Sequence, residues 1–299
     1  MNKQMGDDRV PPKDEGRYYR DEMDDGGEAA DGSDSALRKF RTATSISMSP
    51  ELFEKLYLSP QNRVKGNLRA TFANPSPIGL AGFLLCLTPL SMDLMGWRGA
   101  GANGSANSGA FYFQGGFLMN LGCILEWVIG NTLPAVVFGV YGTFWLAFAA
   151  SLNPAFGAMT LFAPPDAKSP LAGLKTEPYN ASLAWWFLFM GLISFIFLVC
   201  SVRTNVCFFI IFLCLVISFN LQVAGNLASA ENFTGNEHYV SKIRVGAGAA
   251  TFVACWSGWY ILTASLLAAV DFPFQLPVGD LSTVVKGKQQ RSGKYVRRE

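Results

Sequence analysis

Asn74-Pro75-Ser76-Pro77-Ile78-Gly79-Leu80-Ala81-Gly82-Phe83 is the stretch at which a charged, polar segment gives way to long runs of apolar sequence. Asn74 is a favourable N-cap because its side chain can accept hydrogen bonds from the free amides of a first helical turn, and Pro75 suits the first helical position. The apolar residues that follow predict a helix that enters a membrane. Free amides and the positive end of the helix dipole then lie at the entrance, where they favour an anion. Taken alone, a motif this short indicates only a helix start.

Charge is distributed unevenly over the 299 residues. Half of the residues are hydrophobic and only 15% are charged, whereas soluble domains carry about 25% charged residues. Long apolar runs repeat between Phe72 and Val270, and charged residues are concentrated before and after them. This pattern predicts an all-α polytopic membrane protein with an aqueous tail at each end.

The composition divides the chain into four regions. Residues 1–48 are acidic and poor in large aliphatic side chains, which predicts a disordered cytoplasmic tail. Residues 49–73 are expected to form an amphipathic segment beside the membrane. Its apolar residues at helical spacing are Leu52, Phe53, Leu56 and Tyr57. Residues 74–275 are the expected transmembrane transport domain, and residues 276–299 form a basic cytoplasmic tail.

Six stretches of the transmembrane domain are long enough to cross a bilayer as helices, which takes about 20 residues. They lie at about 75–95, 111–129, 133–152, 182–201, 206–228 and 245–270. The turn after the second is so short that the second and third helices must be antiparallel neighbours. In the sixth, small residues recur every four positions and predict a close approach to another helix. These residues are Gly246, Ala250, Ala254 and Gly258.

Two patterns predict that both termini are cytoplasmic. Basic residues precede the first span, follow the sixth and lie between the fourth and fifth, which is the cytoplasmic signature of the positive-inside rule. The glycosylation sequons at Asn103, Asn180 and Asn232 lie in the loops on the other side. Asn180 is expected to be too close to the bilayer for modification.

The sequence contains no recognisable arrangement of catalytic residues. His238 is the single histidine, and no Ser/His/Asp set, phosphate-binding loop, metal cluster or cofactor motif is found. We therefore expect neither an enzyme nor a metal or cofactor site. Nucleic acid is not an expected partner, because the basic tail lies under a membrane and is expected to contact acidic lipid headgroups.

The predicted spans contain no interior Lys or Arg, and their acidic residues lie near span ends. Asp93, Glu126 and Asp271 are accordingly expected at the membrane interface. The interiors carry neutral hydroxyl and amide groups instead. Each of these groups, taken singly, is explained by a helix-to-helix hydrogen bond, but together they suit a small polar solute.

The opening stretch resembles the NPxPxGLxxF signature of the acetate uptake transporter family, which includes bacterial succinate–acetate permeases and fungal acetate and ammonia-linked transporters. Further matches to that family follow in the same order along the chain. They are Phe113-Gln114-Gly115-Gly116, Leu125-Glu126-Trp127, Tyr141-Gly142-Thr143-Phe144-Trp145-Leu146, Ala224-Gly225-Asn226 and Leu276-Pro277-Val278-Gly279. The segment at residues 49–56 resembles the long-tailed fungal branch.

The resemblance implies a six-helix protomer in a hexamer, with one pore per protomer for acetate or a similar monocarboxylate. It also implies a hydrophobic triad that narrows the pore. Phe83 and Tyr141 match its first two members, and counting back from Asn226 without a gap gives Leu215 as the third. Bacterial members have tyrosine where Gln114 stands, so the polarity of the entrance differs. The candidate pore and binding residues are Asn74, Pro75, Gly79, Phe83, Gln114, Tyr141, Leu215 and Asn226.

The leading hypothesis is a plasma-membrane permease that moves acetate or a related short-chain monocarboxylate together with a proton. A proton on the acid removes the charge that the membrane interior penalises, and no embedded cation is available to do so. Two alternatives remain open at this stage. One is an acetate-selective anion channel, and the other is an acetate-responsive membrane sensor whose acidic tail recruits partners.

Overall fold

The computed structural model describes residues 68–281 and 284–285. The predicted acidic tail, the apolar residues of the predicted amphipathic segment and most of the basic tail lie outside these residues. Within them the chain is helical and contains no strand. An isolated bridge between Asn205 and Asp280 is the sole β-type pairing there. The expectation of an all-α membrane protein is confirmed for this part of the chain.

Eight α-helices and one π-helix build this region. The α-helices are α1 (Leu68–Thr71), α2 (Ser76–Met95), α3 (Ser108–Ala110), α4 (Met119–Val128), α5 (Thr132–Leu152), α6 (Glu177–Ser201), α7 (Val206–Glu231) and α8 (Glu237–Ala269), and the π-helix is Phe111–Leu118. Five of them, α2, α5, α6, α7 and α8, are long and apolar enough to cross a membrane, by length and composition. The loops contain short 3-10 segments.

The predicted second span is helical but is not one regular α-helix. It consists of α3, the π-helix and α4 in direct succession. Gly115 and Gly116 of the π-helix lie against α5: a Cβ added at Gly115 would be 2.5 Å from Trp145 Cγ, and one at Gly116 would be 2.1 Å from Leu146 Cδ2. A wider π-turn at this point brings two residues without side chains against the bulky residues of α5.

The start of α2 confirms the cap that the sequence predicts. Asn74 Oδ1 accepts a hydrogen bond from the Ser76 amide at 3.0 Å. Pro75 already has a helical backbone conformation, with φ −84° and ψ −13°. The side chain of Asn74 therefore satisfies an amide that the first turn leaves free.

The long helices form two groups that meet through aromatic side chains. In the first group, the segment from α3 to α4 packs between α2 and α5. In the second group, α7 packs against both α6 and α8. α8 also contacts α2 and so joins the two groups. Phe144 of α5 crosses to the second group, with ring centroids 5.2 Å from Trp186 of α6 and 5.6 Å from Phe219 of α7. These rings fill the space where the backbones of α5, α6 and α7 do not approach closely.

The contact between α2 and α8 relies on small residues, though not on all of those predicted. Gly258 lies against Leu84 of α2, where an added Cβ would be 2.5 Å from Leu84 Cδ2. Gly246 faces α7 instead, and Gly248 takes the place against α2. Residues four apart advance about 40° around a helix of 3.6 residues per turn. A stripe with strict four-residue spacing therefore rotates away from the partner helix, which explains the difference.

We expect Gly248→Ala to destabilise the protein and Gly246→Ala to leave its stability unchanged or raise it slightly. A Cβ at Gly248 would lie 2.8 Å from the backbone oxygen of Ser91, which cannot rotate away. Such overpacking costs about 1–3 kcal/mol. A Cβ at Gly246 would be 3.5 Å from Leu221 Cδ1, which is ordinary contact. Chemical unfolding of both variants in detergent micelles would measure the difference, and equal midpoints would contradict it.

The three sequons differ in accessibility. Asn103 and Asn232 are exposed. Asn180 is only 3% exposed, and its Nδ2 donates to the carbonyl oxygens of Leu174 and Thr176, each at 2.9 Å. These hydrogen bonds, together with its burial, make Asn180 unsuitable as a glycosylation acceptor.

Candidate functional site

A small apolar cavity lies among α2, α5 and α7. Phe83 of α2, Tyr141 of α5 and Leu215 of α7 all line this central cavity, which has a volume of about 20 Å³. Their side chains are 6%, 3% and 3% exposed. The rings of Phe83 and Tyr141 are 6.1 Å apart between centroids. A cavity of this size holds about one water molecule, so acetate does not fit into it in this conformation.

The hydroxyl group of Tyr141 is directed toward α6. Its oxygen is 2.8 Å from Ser194 Oγ, and Ser194 Oγ donates its own proton to the Met190 carbonyl at 2.7 Å. Tyr141 is therefore the donor of the first bond, because a serine hydroxyl has a single proton to give. This pair fixes the ring of Tyr141, which also meets Phe197 edge-on at 5.9 Å. Carbon atoms of the Tyr141 ring, and not its hydroxyl group, therefore line the central cavity.

A second cavity, of about 30 Å³, lies next to the start of α2. We call it the proximal cavity. It is bordered by Ser76, Leu133, Pro134 and Thr204, and it shares Val137, Phe138, Phe208 and Phe212 with the central cavity. The two cavities therefore follow one another along α2, α5 and α7. Together they form a row of small cavities through the bundle, and aromatic rings lie between them.

Glu126, which the sequence places near the end of a span, lies inside the protein and not on its surface. Its side chain is fully buried. Ser76 Oγ donates to Glu126 Oε1, and Asn131 Nδ2 donates to Oε2 at 2.6 Å. The carboxylate thereby ties the start of α2 to the turn between α4 and α5. A buried carboxylate needs such partners, because an unpaired one is too costly to remove from water.

The other predicted site residues lie away from the central cavity. Gly79 is packed against α5, where an added Cβ would lie 2.6 Å from the ring of Phe138. Gln114 is exposed on the π-helix. Asn226 is buried about three turns beyond Leu215, and its Nδ2 donates to the Gln222 carbonyl at 2.7 Å. Asn74 and Pro75 form the cap of α2, one residue from the proximal cavity.

A segment after α8 covers the α6–α7 turn, which the sequence analysis missed. The amide of Val206 donates to the Gly279 carbonyl at 2.9 Å, and the amide of Leu281 donates to the Thr204 carbonyl at 3.0 Å. Val278 is 2% exposed in the bundle. Since Thr204 borders the proximal cavity, the first part of the predicted basic tail lies next to that cavity. The Leu276-Pro277-Val278-Gly279 motif was the available signal.

The pattern of the GPR1/FUN34/yaaH family matches residues 57–283. The chain belongs to this family. Several relatives in it carry transport names. This chain is 29% identical to acetate permease A of Emericella nidulans, over 74% of this chain and 70% of that protein. It is 30% identical to ammonia transport outward protein 2 of Saccharomyces cerevisiae, over 70% of this chain and 68% of that protein. The family resemblance read from the motifs is confirmed.

Two further comparisons extend the family match. Protein alcS of Aspergillus fumigatus is 44% identical, over 80% of this chain and 86% of that protein. The solved structure of the bacterial acetate channel SatP superimposes with a TM-score of 0.54 and 23% identity. It covers 70% of this chain and 99% of that chain. The two proteins share a fold.

Proposed function

We propose that this protein carries acetate and related short-chain monocarboxylates across the plasma membrane. The observation that carries the proposal is the closed central cavity, at which Phe83, Tyr141 and Leu215 from three membrane-length helices meet. Relatives named acetate permease and acetate transporter support the choice of substrate. The fold that the chain shares with an acetate channel supports transport over catalysis.

The proposed assembly is a hexamer of six-span protomers with cytoplasmic termini and one pore each. The five membrane-length helices and the interrupted helix from α3 to α4 supply six crossings. Contacts between copies are supported by Gln114, which is exposed between Phe113 and Phe117 on an otherwise apolar surface. An amide facing lipid is unfavourable, and a neighbouring protomer would satisfy it.

Proton coupling is the favoured mechanism because the central cavity is lined by apolar side chains and the carbon edge of Tyr141. Moving a carboxylate through such surroundings without a partner is far more costly than moving the neutral acid. We therefore expect the acid to cross the constriction with its proton. The alternative is a channel that opens wide enough for a hydrated anion. The fold that the chain shares with the acetate channel SatP favours this alternative.

Uptake of labelled acetate into liposomes that contain the purified protein tests both mechanisms. A proton-coupled permease will accelerate uptake as the outside is acidified and will carry protons inward with acetate. A channel will instead produce an acetate current that follows the membrane potential without coupled acidification. Uptake no greater than in empty vesicles, with the protein folded, would contradict transport by either mechanism.

A further inference from the structure

The largest of the three cavities discussed lies at the far end of α2 from the proximal cavity. We call it the distal pocket. Its volume is about 340 Å³, and it is bordered by the end of α2, the loop at residues 101–103, Ser229 of α7 and the first turns of α8. A single acetate would fill only a small part of it. The remainder is accessible to water, so an ion can enter with part of its hydration shell.

Two helices connect the distal pocket to the other cavities. α2 contributes Ser76 to the proximal cavity, Phe83 to the central cavity and Asp93 to the distal pocket. α7 contributes Phe208 to the first two and Ser229 to the third. With 20 residues, α2 extends about 30 Å. The distal pocket is therefore the outer end of the same row, on the side that the proposed topology places outside the cell.

Arg244 is the cation inside this pocket. Its side chain is half-buried, and within residues 68–281 and 284–285 its guanidinium has no ion pair or hydrogen bond. A guanidinium group presents several donors in a plane that matches a carboxylate. A half-buried guanidinium without a protein partner is a favourable place for a small anion.

Among the described residues, neither acidic residue of the pocket forms an ion pair with Arg244. Asp93 Oδ2 accepts a hydrogen bond from Asn107 Nδ2 at 2.9 Å, so its carboxylate holds the loop that covers the pocket. Glu237 is exposed at the rim, in the first turn of α8. It lies about 10 Å along the helix from Arg244. At that distance salt and water screen most of its field.

We propose that Arg244 in the distal pocket is the outer capture site for the carboxylate, at which the anion binds before it reaches the central constriction. This inference rests on the proposed transport function and names the site at which the substrate first binds. The guanidinium holds the ionised acid in water at the membrane surface. The acid then moves from this site to the apolar constriction at the central cavity.

The first test compares acetate uptake by Arg244→Gln and Lys242→Gln in liposomes. Arg244→Gln will raise the KM for acetate about tenfold and leave the saturated rate within about twofold, because one charge-assisted interaction is lost at the entry site. Lys242 is exposed on α8 and does not border the pocket, so its variant will keep the wild-type KM. An unchanged KM in Arg244→Gln, or an equal rise in both variants, would overturn the proposal.

The second test uses the wild-type protein and does not depend on transport. Phenylglyoxal modifies arginine side chains, and peptide mass spectrometry reports the rate at each position. Acetate will slow the modification of Arg244 but not that of Arg98, which is exposed and outside the pocket. Equal rates at Arg244 with and without acetate would refute the capture site even if uptake occurs. Protection without any uptake would refute the transport function and leave the binding site standing.

Discussion

Phe83→Ala will relax the discrimination between acetate and longer monocarboxylates. Removing the ring enlarges the central cavity at the point where α2, α5 and α7 meet. A tight apolar site distinguishes substrates that differ by one methylene about 10–200-fold. We therefore expect the uptake rate of butyrate relative to acetate to rise about tenfold or more in liposomes.

Phe111→Ala is the matched control for this prediction. Phe111 is fully buried and packs on Trp145 with ring centroids 4.9 Å apart, but it does not border the central cavity. Both substitutions remove a buried ring and cost about 3–5 kcal/mol of stability. Only Phe83→Ala should change selectivity. A folded Phe83→Ala protein with the wild-type ratio would show that Phe83 does not form the constriction.

The meeting of Phe83, Tyr141 and Leu215 follows from local motifs on three helices. Each motif fixes a residue's position along its own helix, and the side-by-side packing of α2, α5 and α7 brings the three to one depth. The count from Asn226 back to Leu215 reaches a residue that lines the central cavity, and α7 is one continuous helix from Val206 to Glu231. Within such a helix, sequence spacing converts directly into height.

Contacts between distant parts of the chain could not be predicted in this way. Ser76 and Glu126 are far apart in sequence, and nothing in either motif indicates that they form a hydrogen bond. The position of Glu126 near a span end did not indicate that the packing of α4 against α2 buries its side chain. The docking of Val278 beside the α6–α7 turn is a contact of the same kind. Burial of a polar residue is decided by its partners, which tertiary packing supplies.

The sequence also could not predict the rotation of α8 about its own axis, which decides which of its residues face α2. The small residues correctly predicted close packing, but four-residue spacing put Gly246 on the same face as Gly258, whereas Gly246 lies against α7 and Gly248 lies with Gly258 against α2. Arg244 lies just before the predicted sixth span, where the sequence identifies it only as a basic residue of the outer loop. Its position at the distal pocket becomes visible only when the ends of α2 and α7 are placed beside α8.

Glu126→Ala will destabilise the protein strongly, and Glu126→Gln will do so less. The alanine variant leaves Ser76 Oγ and Asn131 Nδ2 without their acceptor in a site where both residues are almost completely buried. Each unsatisfied buried group costs about 1–3 kcal/mol, so the loss is on the order of 2–5 kcal/mol. Glutamine keeps the shape and one acceptor oxygen, but its amino group opposes the donors. Chemical unfolding in detergent micelles would measure both losses.

Asp271→Asn is the matched control for Glu126→Gln, because it also replaces a carboxylate by an amide, at an exposed position two residues after α8. Asp271 is exposed, and asparagine tolerates its positive φ of 49°. Its substitution should change stability by no more than about 0.5 kcal/mol. Because Ser76 borders the proximal cavity, Glu126→Gln should also lower acetate uptake by the protein that remains folded. Equal stability of Glu126→Gln and Asp271→Asn would mean that the buried carboxylate does not hold α2 to the α4–α5 turn.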